Sequence, residues 1–155
     1  FGGGYNNSGA IINIMDYITV ASLGNATDFG DLTSVRSSPA GASNGTRGVF
    51  GGGYNSSSPY YYNVIQYITV ASAGNATDFG DLTSGRGFVA GAASASRAVF
   101  AGGYTGSAYA NTIDYVAVAV TGNATDFGDL TVANMHDASG CSNGVRAVFA
   151  GGSSQ

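Results

Sequence analysis

Three Asp-Phe-Gly triplets, beginning at Asp28, Asp78 and Asp126, are the residues that most resemble a catalytic signature. In phosphoryl transfer such an aspartate holds Mg2+, and it works beside a lysine on the phosphates and a separate catalytic loop. All five basic residues of this chain are arginine, and no catalytic-loop pattern occurs. The triplets therefore read as strand-and-turn signatures. Gly2-Gly3-Gly4 and its copies could cradle a phosphate, but no helical pattern follows whose N-terminus would hold the anion. Asp28 and Asp31, with Asn25 close by, supply oxygens of the kind Ca2+ takes. A calcium site needs about six to eight oxygens, usually with several carboxylates, and one such pair is thin. The expected role is structural: one aspartate caps a turn and the other pairs with an arginine such as Arg36 or Arg47. His136 is the sole histidine, and no turn pattern places a serine nucleophile beside it. No catalytic residue, metal or cofactor is expected, and the chain reads as a non-enzyme.

Recognition chemistry is better supplied. One set of linkers differs between otherwise similar segments. It carries Asn6 and Asn7, then Asn55 with Tyr60, Tyr61 and Tyr62, then Tyr109. Tyrosine offers rigid contact area with a hydroxyl at its tip, and asparagine and serine add adaptable hydrogen bonds. Varied loops on a fixed scaffold have the form of a binding surface. Such a face suits a glycan or a flat protein partner. The competing expectation is that Tyr60 to Tyr62 begin a strand and pack on a neighbour.

The elements that would position these loops are repeats. Phe1-Gly2-Gly3-Gly4-Tyr5 returns at Phe50-Gly51-Gly52-Gly53-Tyr54, at Phe100-Ala101-Gly102-Gly103-Tyr104 and at Phe149-Ala150-Gly151-Gly152. The block Gly-Asn-Ala-Thr-Asp-Phe-Gly-Asp-Leu-Thr starts at Gly24, Gly74 and Gly122, a period of about 49 residues. The chain reads as a single repeat domain with units 1–49, 50–99 and 100–148 and the start of a fourth at 149–155. It begins and ends inside a unit, so the expectation is an excerpt of a longer array or a chain completed by copies of itself.

Composition agrees with strands. The acidic residues are all aspartate, glutamate and lysine are absent, and Gly, Ser, Thr, Asn, Tyr and Val dominate. A net charge of -4 provides no basic stripe for nucleic acid. No apolar run approaches the roughly 20 residues of a membrane span. Asn-x-Ser/Thr at Asn6, Asn25, Asn44, Asn55, Asn75 and Asn123 reads as turn asparagine. The lone Cys141 stands where other units are alanine-rich and reads as a small buried side chain.

Four strand signals fit each period: Ala90–Ala93, Arg97–Phe100, Asn63–Ala71 and Thr77–Thr83. The third is apolar on both faces, with Val64, Ile68 and Val70 against Ile65 and Tyr67. A strand covered on both sides need not alternate with polar residues, and small four-stranded sheets stacked face to face would cover it.

These features resemble the kelch repeat: an apolar strand ending in Gly52-Gly53, then Tyr67, then Phe79, then a closing Arg86. Parallel sets are Gly3-Gly4, Tyr17 and Phe29, and Gly102-Gly103, Tyr115 and Phe127. Outside that pattern, Asp31, Asp81 and Asp129, with Arg47, Arg97 and Arg146, also recur from unit to unit and read as structural positions. The chain departs from the kelch pattern in having Phe for the usual Trp, a longer stretch from Tyr67 to Phe79, and Asn134 for the third closing arginine. The resemblance implies an all-β, kelch-like β-propeller segment of four-stranded antiparallel blades. A copper centre of the kelch-type oxidases would need more than one histidine. The array is also similar to those of bacteriophage tail and virion proteins and some bacterial surface proteins. That similarity implies a virion or cell-surface location and a structural or host-recognition role. It also leaves open a purely architectural repeat, or part of a kelch-type enzyme whose site lies elsewhere. The partners to expect are further blades, copies of the chain, or a surface glycan or protein.

Overall fold

The computed structural model describes residues 1–133 and 137–152, so Asn134 and His136 lie outside the described residues. The described chain is all-β. The first sheet holds β1 (Gly2–Tyr5), β2 (Ile11–Tyr17) and β3 (Thr27–Asp31). The second holds β4 (Ala40–Ser43), β5 (Arg47–Gly51), β6 (Val64–Thr69) and β7 (Thr77–Asp81). The third holds β8 (Ala90–Ala93), β9 (Arg97–Ala101), β10 (Thr112–Ala117) and β11 (Thr125–Asp129). A final pair holds β12 (Ser139–Ser142) and β13 (Ala147–Ala150). Strands pair antiparallel in chain order within every sheet.

Why Phe-Gly-Asp repeats is visible in the ladders. Ile65 pairs with Gly80 and Gln66 with Asp78, so Phe79 is an extra residue in β7. This bulge turns the phenylalanine into the inter-sheet core, where Phe79 is buried beside Val49, Ile65, Ala98, Phe100, Val116 and Val118. Tyr67 meets its edge with ring centroids 5.9 Å apart, and Tyr17–Phe29 and Tyr115–Phe127 repeat the pair at 5.8 and 5.9 Å.

The glycine of the bulge serves the junction between sheets. Gly80 has φ +145°, and a Cβ there would fall 2.3 Å from the Gly122 carbonyl oxygen. With no Cβ, the loop ahead of β11 docks on the free edge of β7. Gly122 and Ala124 donate N–H to the Phe79 and Asp81 carbonyls at 2.7 Å each, and Asp81 N–H donates to Asn123 Oδ1 at 3.1 Å. One unit earlier Gly74, Ala76 and Asn75 make the same three bonds to Phe29 and Asp31. Asn75 and Asn123 are thus inter-unit hooks rather than simple turn asparagines. At the other side of each sheet β4, β8 and β12 run past one another. A Cβ on Gly91 would come within 2.6 Å of Gly41 O, and one on Gly140 within 2.3 Å of Gly91 O.

The expected pairing of Asp31 or Asp81 with Arg36 or Arg47 is not found. Instead, Arg86 Nη2 is paired with Asp114 Oδ2 at 2.7 Å, with both side chains fully buried. Arg86 also donates to the Gly102 and Thr112 carbonyls, and Thr83 donates its N–H and hydroxyl to Asp114. Arg36 reaches the matching carbonyls of Gly52 and Val64, but the place of Asp114 is taken by Gln66. Arg47 instead lies 4.7 Å from the Tyr67 ring centre and donates to the Val118 and Ala119 carbonyls, while Arg97 lies 5.0 Å from Tyr115. Arg36 and Arg86 thus add a donor at strand ends, where the Val64 and Thr112 carbonyls also accept N–H from Gly52 and Gly102. The third strand is accordingly not apolar throughout, since Gln66 and Asp114 are buried at its centre. Cys141 is exposed, against expectation. Its counterpart Ala92 is covered in the third sheet, whereas β12 belongs to a two-stranded pair.

Candidate functional site

Two hairpin-like loops bring the tyrosines together. Tyr54 bridges to Tyr61, and Tyr104 bridges to Tyr109. The loops close through Asn55 N–H to Tyr60 O at 2.8 Å and Thr105 N–H to Ala108 O at 3.0 Å. Each loop springs from a Gly-Gly turn that the closing segment grips. Ser37 and Tyr54 exchange backbone bonds at 2.8 Å, and Gly87 and Tyr104 do so at 3.0 and 2.9 Å. The loops of the second and third units are therefore held by the same contacts that hold the sheets.

The result is a continuous aromatic strip across two units. Phe88 stacks on Tyr54 at 6.2 Å, Tyr54 meets Tyr61 at 5.5 Å, Tyr61 meets Tyr104 at 5.6 Å, and Tyr104 meets Tyr109 at 5.1 Å. All five rings are half-buried, so each is fixed yet keeps a face or edge toward solvent. Gly106 makes room for one of them: a Cβ there would lie 2.7 Å from the Tyr61 ring. Burial, then the neighbouring Tyr104 and Tyr54 hydroxyls, push the Tyr61 phenol above its ordinary range. It therefore stays protonated at neutral pH and can donate as well as accept a hydrogen bond. Phe88 has φ +60°, and its repeat counterparts Ser38 and Asp137 share this left-handed conformation, so it belongs to the turn that precedes each unit's first strand.

The expected binding residues divide. Tyr61 and Tyr109 are in the strip, and Tyr60 stands beside it with 55 % of its surface exposed. Tyr62 instead lies 4.5 Å beneath the Arg36 guanidinium, and its hydroxyl accepts from Asn55 Nδ2 at 3.2 Å. Asn55 also donates to Ser57, so both side chains shape the loop. Asn6 Oδ1 accepts from Ser8 and Ala10 N–H and from the Ser8 hydroxyl, and is engaged in its own turn; Asn7 is exposed in that same first-unit loop. Tyr54, Tyr104 and Phe88 were missed. The first two were legible as the repeated residue after Gly-Gly, but repetition made them read as scaffold.

No protein-family model matches the chain, and no curated protein matches it significantly.

Proposed function

We propose that this chain is a non-enzymatic recognition and structural module, built as a kelch-like β-propeller segment, whose aromatic strip binds a surface glycan or a flat protein partner. Successive four-stranded meanders stacked face to face, with their first strands side by side, support the propeller reading. The observation that carries the function is the strip from Phe88 and Tyr54 through Tyr61 and Tyr104 to Tyr109. Sugar rings present flat patches of C–H bonds between hydroxyls. Fixed aromatic rings match the first and phenol hydroxyls match the second, and neither requires charge. Rings held in place before binding lose little freedom on contact, which favours affinity. The resemblance to virion and bacterial surface arrays supports a position on the outside of a particle or cell, where a host glycan would be met.

A glycan array probed with the purified chain, followed by titration of any hit, tests this. Tyr61→Ser should weaken binding at least about tenfold, the loss of one well-packed anchor, while far-UV circular dichroism stays unchanged. Asn6→Ala, in the first-unit loop, should leave affinity as it was. A hit bound equally well by Tyr61→Ser and wild type would refute the strip as the site.

A further inference from the structure

We infer that the aromatic strip takes a short neutral oligosaccharide laid across the junction of the second and third units, and that it rejects glycans carrying carboxylate or sulfate groups. The inference rests on the recognition reading above and narrows its ligand to one class. The exposed area suits a small ligand. Phe88, Tyr54, Tyr61, Tyr104 and Tyr109 are all half-buried. A whole aromatic side chain covers about 150–250 Å², so the five together open on the order of 300 Å², well below the roughly 800 Å² per side of a standard protein interface. Beside Tyr60 the surrounding loops present mainly small exposed side chains, those of Ser56, Ser57, Ser58, Ser107 and Ala108.

The phenol hydroxyls are grouped and available. Among the described residues those of Tyr54, Tyr61 and Tyr104 bond to no protein group, whereas the Tyr62 hydroxyl is held by Asn55 at 3.2 Å. Tyr61 stands between the other two. Its ring meets theirs at 5.5 and 5.6 Å, and both neighbouring hydroxyls act on it electrostatically. Each phenol can donate one hydrogen bond and accept others. A saccharide presents the same two-way hydroxyls around a ring with C–H faces, so hydroxyls and ring faces are matched together. Gly106 leaves room for the central ring: a Cβ there would fall 2.7 Å from Tyr61 Cε2 and 3.0 Å from Cδ2.

No charge is built into this surface. The segments that form it, residues 51–63, 87–96 and 101–113, contain no Asp, Glu, Lys or Arg. Of the charged residues that flank them, Arg86 and Asp114 are buried against each other. Arg97 lies over Tyr115, at the end of β9 away from the Gly102-Gly103 turn. Aromatic faces carry the negative side of the ring quadrupole. A carboxylate or sulfate laid on them would shed water, meet that negative face and find no cation in return. The net charge of -4 adds to the repulsion at long range. A neutral sugar meets none of these penalties.

Titration with charge-paired glycans tests it: a neutral oligosaccharide bound on an array, and the same oligosaccharide oxidised at every free C6 from CH2OH to carboxylate. The uronate form should bind at least about tenfold more weakly, because an unmatched charge at an interface costs more than one decade of affinity. Affinity for the neutral form should hold between about 0.01 and 1 M salt, over which the Debye length falls from about 30 to 3 Å. Only the backbone of Ala108 takes part in the turn that Thr105 closes. Ala108→Lys should therefore keep the loop, recover uronate binding at low salt and lose it again at high salt. Acidic glycans bound as tightly as neutral ones, and still weakened by Tyr61→Ser, would overturn the neutral class while leaving the strip as the site. A neutral glycan bound equally by Tyr61→Ser and wild type, or no glycan bound at all, would overturn the class and the recognition reading together. Uronate that Ala108→Lys also rejects would mean that shape rather than charge excludes it, against the inference.

Discussion

Asp114→Asn should unfold this chain about 10 °C below wild type, because it strands the Arg86 guanidinium in a site from which water is excluded. Removing one partner of a buried ion pair costs about 3–5 kcal/mol, since the remaining charge keeps its desolvation penalty and loses its compensation. For a chain of this size each kcal/mol moves the melting point by roughly 3 °C. Burial already pulls the Arg86 guanidinium below its ordinary range, and the Asp114 carboxylate with its hydrogen bond is what offsets the pull. The chain contains the milder form of the defect. Arg36 occupies the same place in the preceding unit with Gln66 opposite, and burial lowers it to about 10 despite the Tyr62 ring. Because its folded value lies below its ordinary one, its charge costs the fold fully below about pH 10 and progressively less as pH rises above that. Gln66→Glu should therefore stabilise, by about 1–3 kcal/mol if the new carboxylate is bonded as Asp114 is. Thermal unfolding of both variants checks the argument. A neutral Asp114→Asn would show that the buried pair contributes nothing net.

Gly80→Ala should destabilise by about 3 kcal/mol or more, and Gly128→Ala by about 1 kcal/mol. Both glycines have the same backbone, φ +145° and +135°. They differ in surroundings. The added methyl at position 80 meets the Gly122 carbonyl at 2.3 Å, backbone against backbone, and at position 128 it meets nothing within 4 Å. The first substitution pries the Asn123 hook off the bulge and loses its three hydrogen bonds, worth about 1 kcal/mol each net. The second reports the conformational strain alone. Their difference measures the junction, and equal melting points would mean that the docked loops add no stability.

Much of the architecture was legible because the repeats carry it. Bulky residues at fixed offsets marked the third and fourth strands, and glycine with asparagine marked the turns. The burial of the third strand followed from its pattern in the second and third sheets but not in the first, where Ile14, Tyr17 and Ile18 are exposed. Gln66 and Asp114 did not follow, because a polar residue in an apolar run gives no sign of the arginine that arrives from another unit. The Asp31 and Asp81 side chains were misread for a related reason. Spacing along the chain shows which residues recur, but the junction pairs the aspartate backbone with an asparagine about 44 and 42 positions on. The aromatic strip was half legible. Variation drew attention to Tyr60, Tyr61 and Tyr109, while Tyr54 and Tyr104 were hidden by their regularity, and Phe88 by an isolated position next to the first strand. Asn55 and Tyr62 have the right chemistry for recognition, but their polar atoms are spent on one another.

The units are locked edge to edge, so that rings from two of them stand fixed in one strip. Amide hydrogen exchange in dilute, monomeric solution tests this most directly, because the repeats supply their own controls. The amides of Gly122, Ala124 and Asp81 should be protected to nearly the depth of the sheet interior. Those of Gly24, Ala26 and Asp129, identical in local sequence but outside a junction, should exchange rapidly. Equal and rapid exchange in the two sets would mean that the units move independently, and the strip would lose the rigidity on which its proposed function depends.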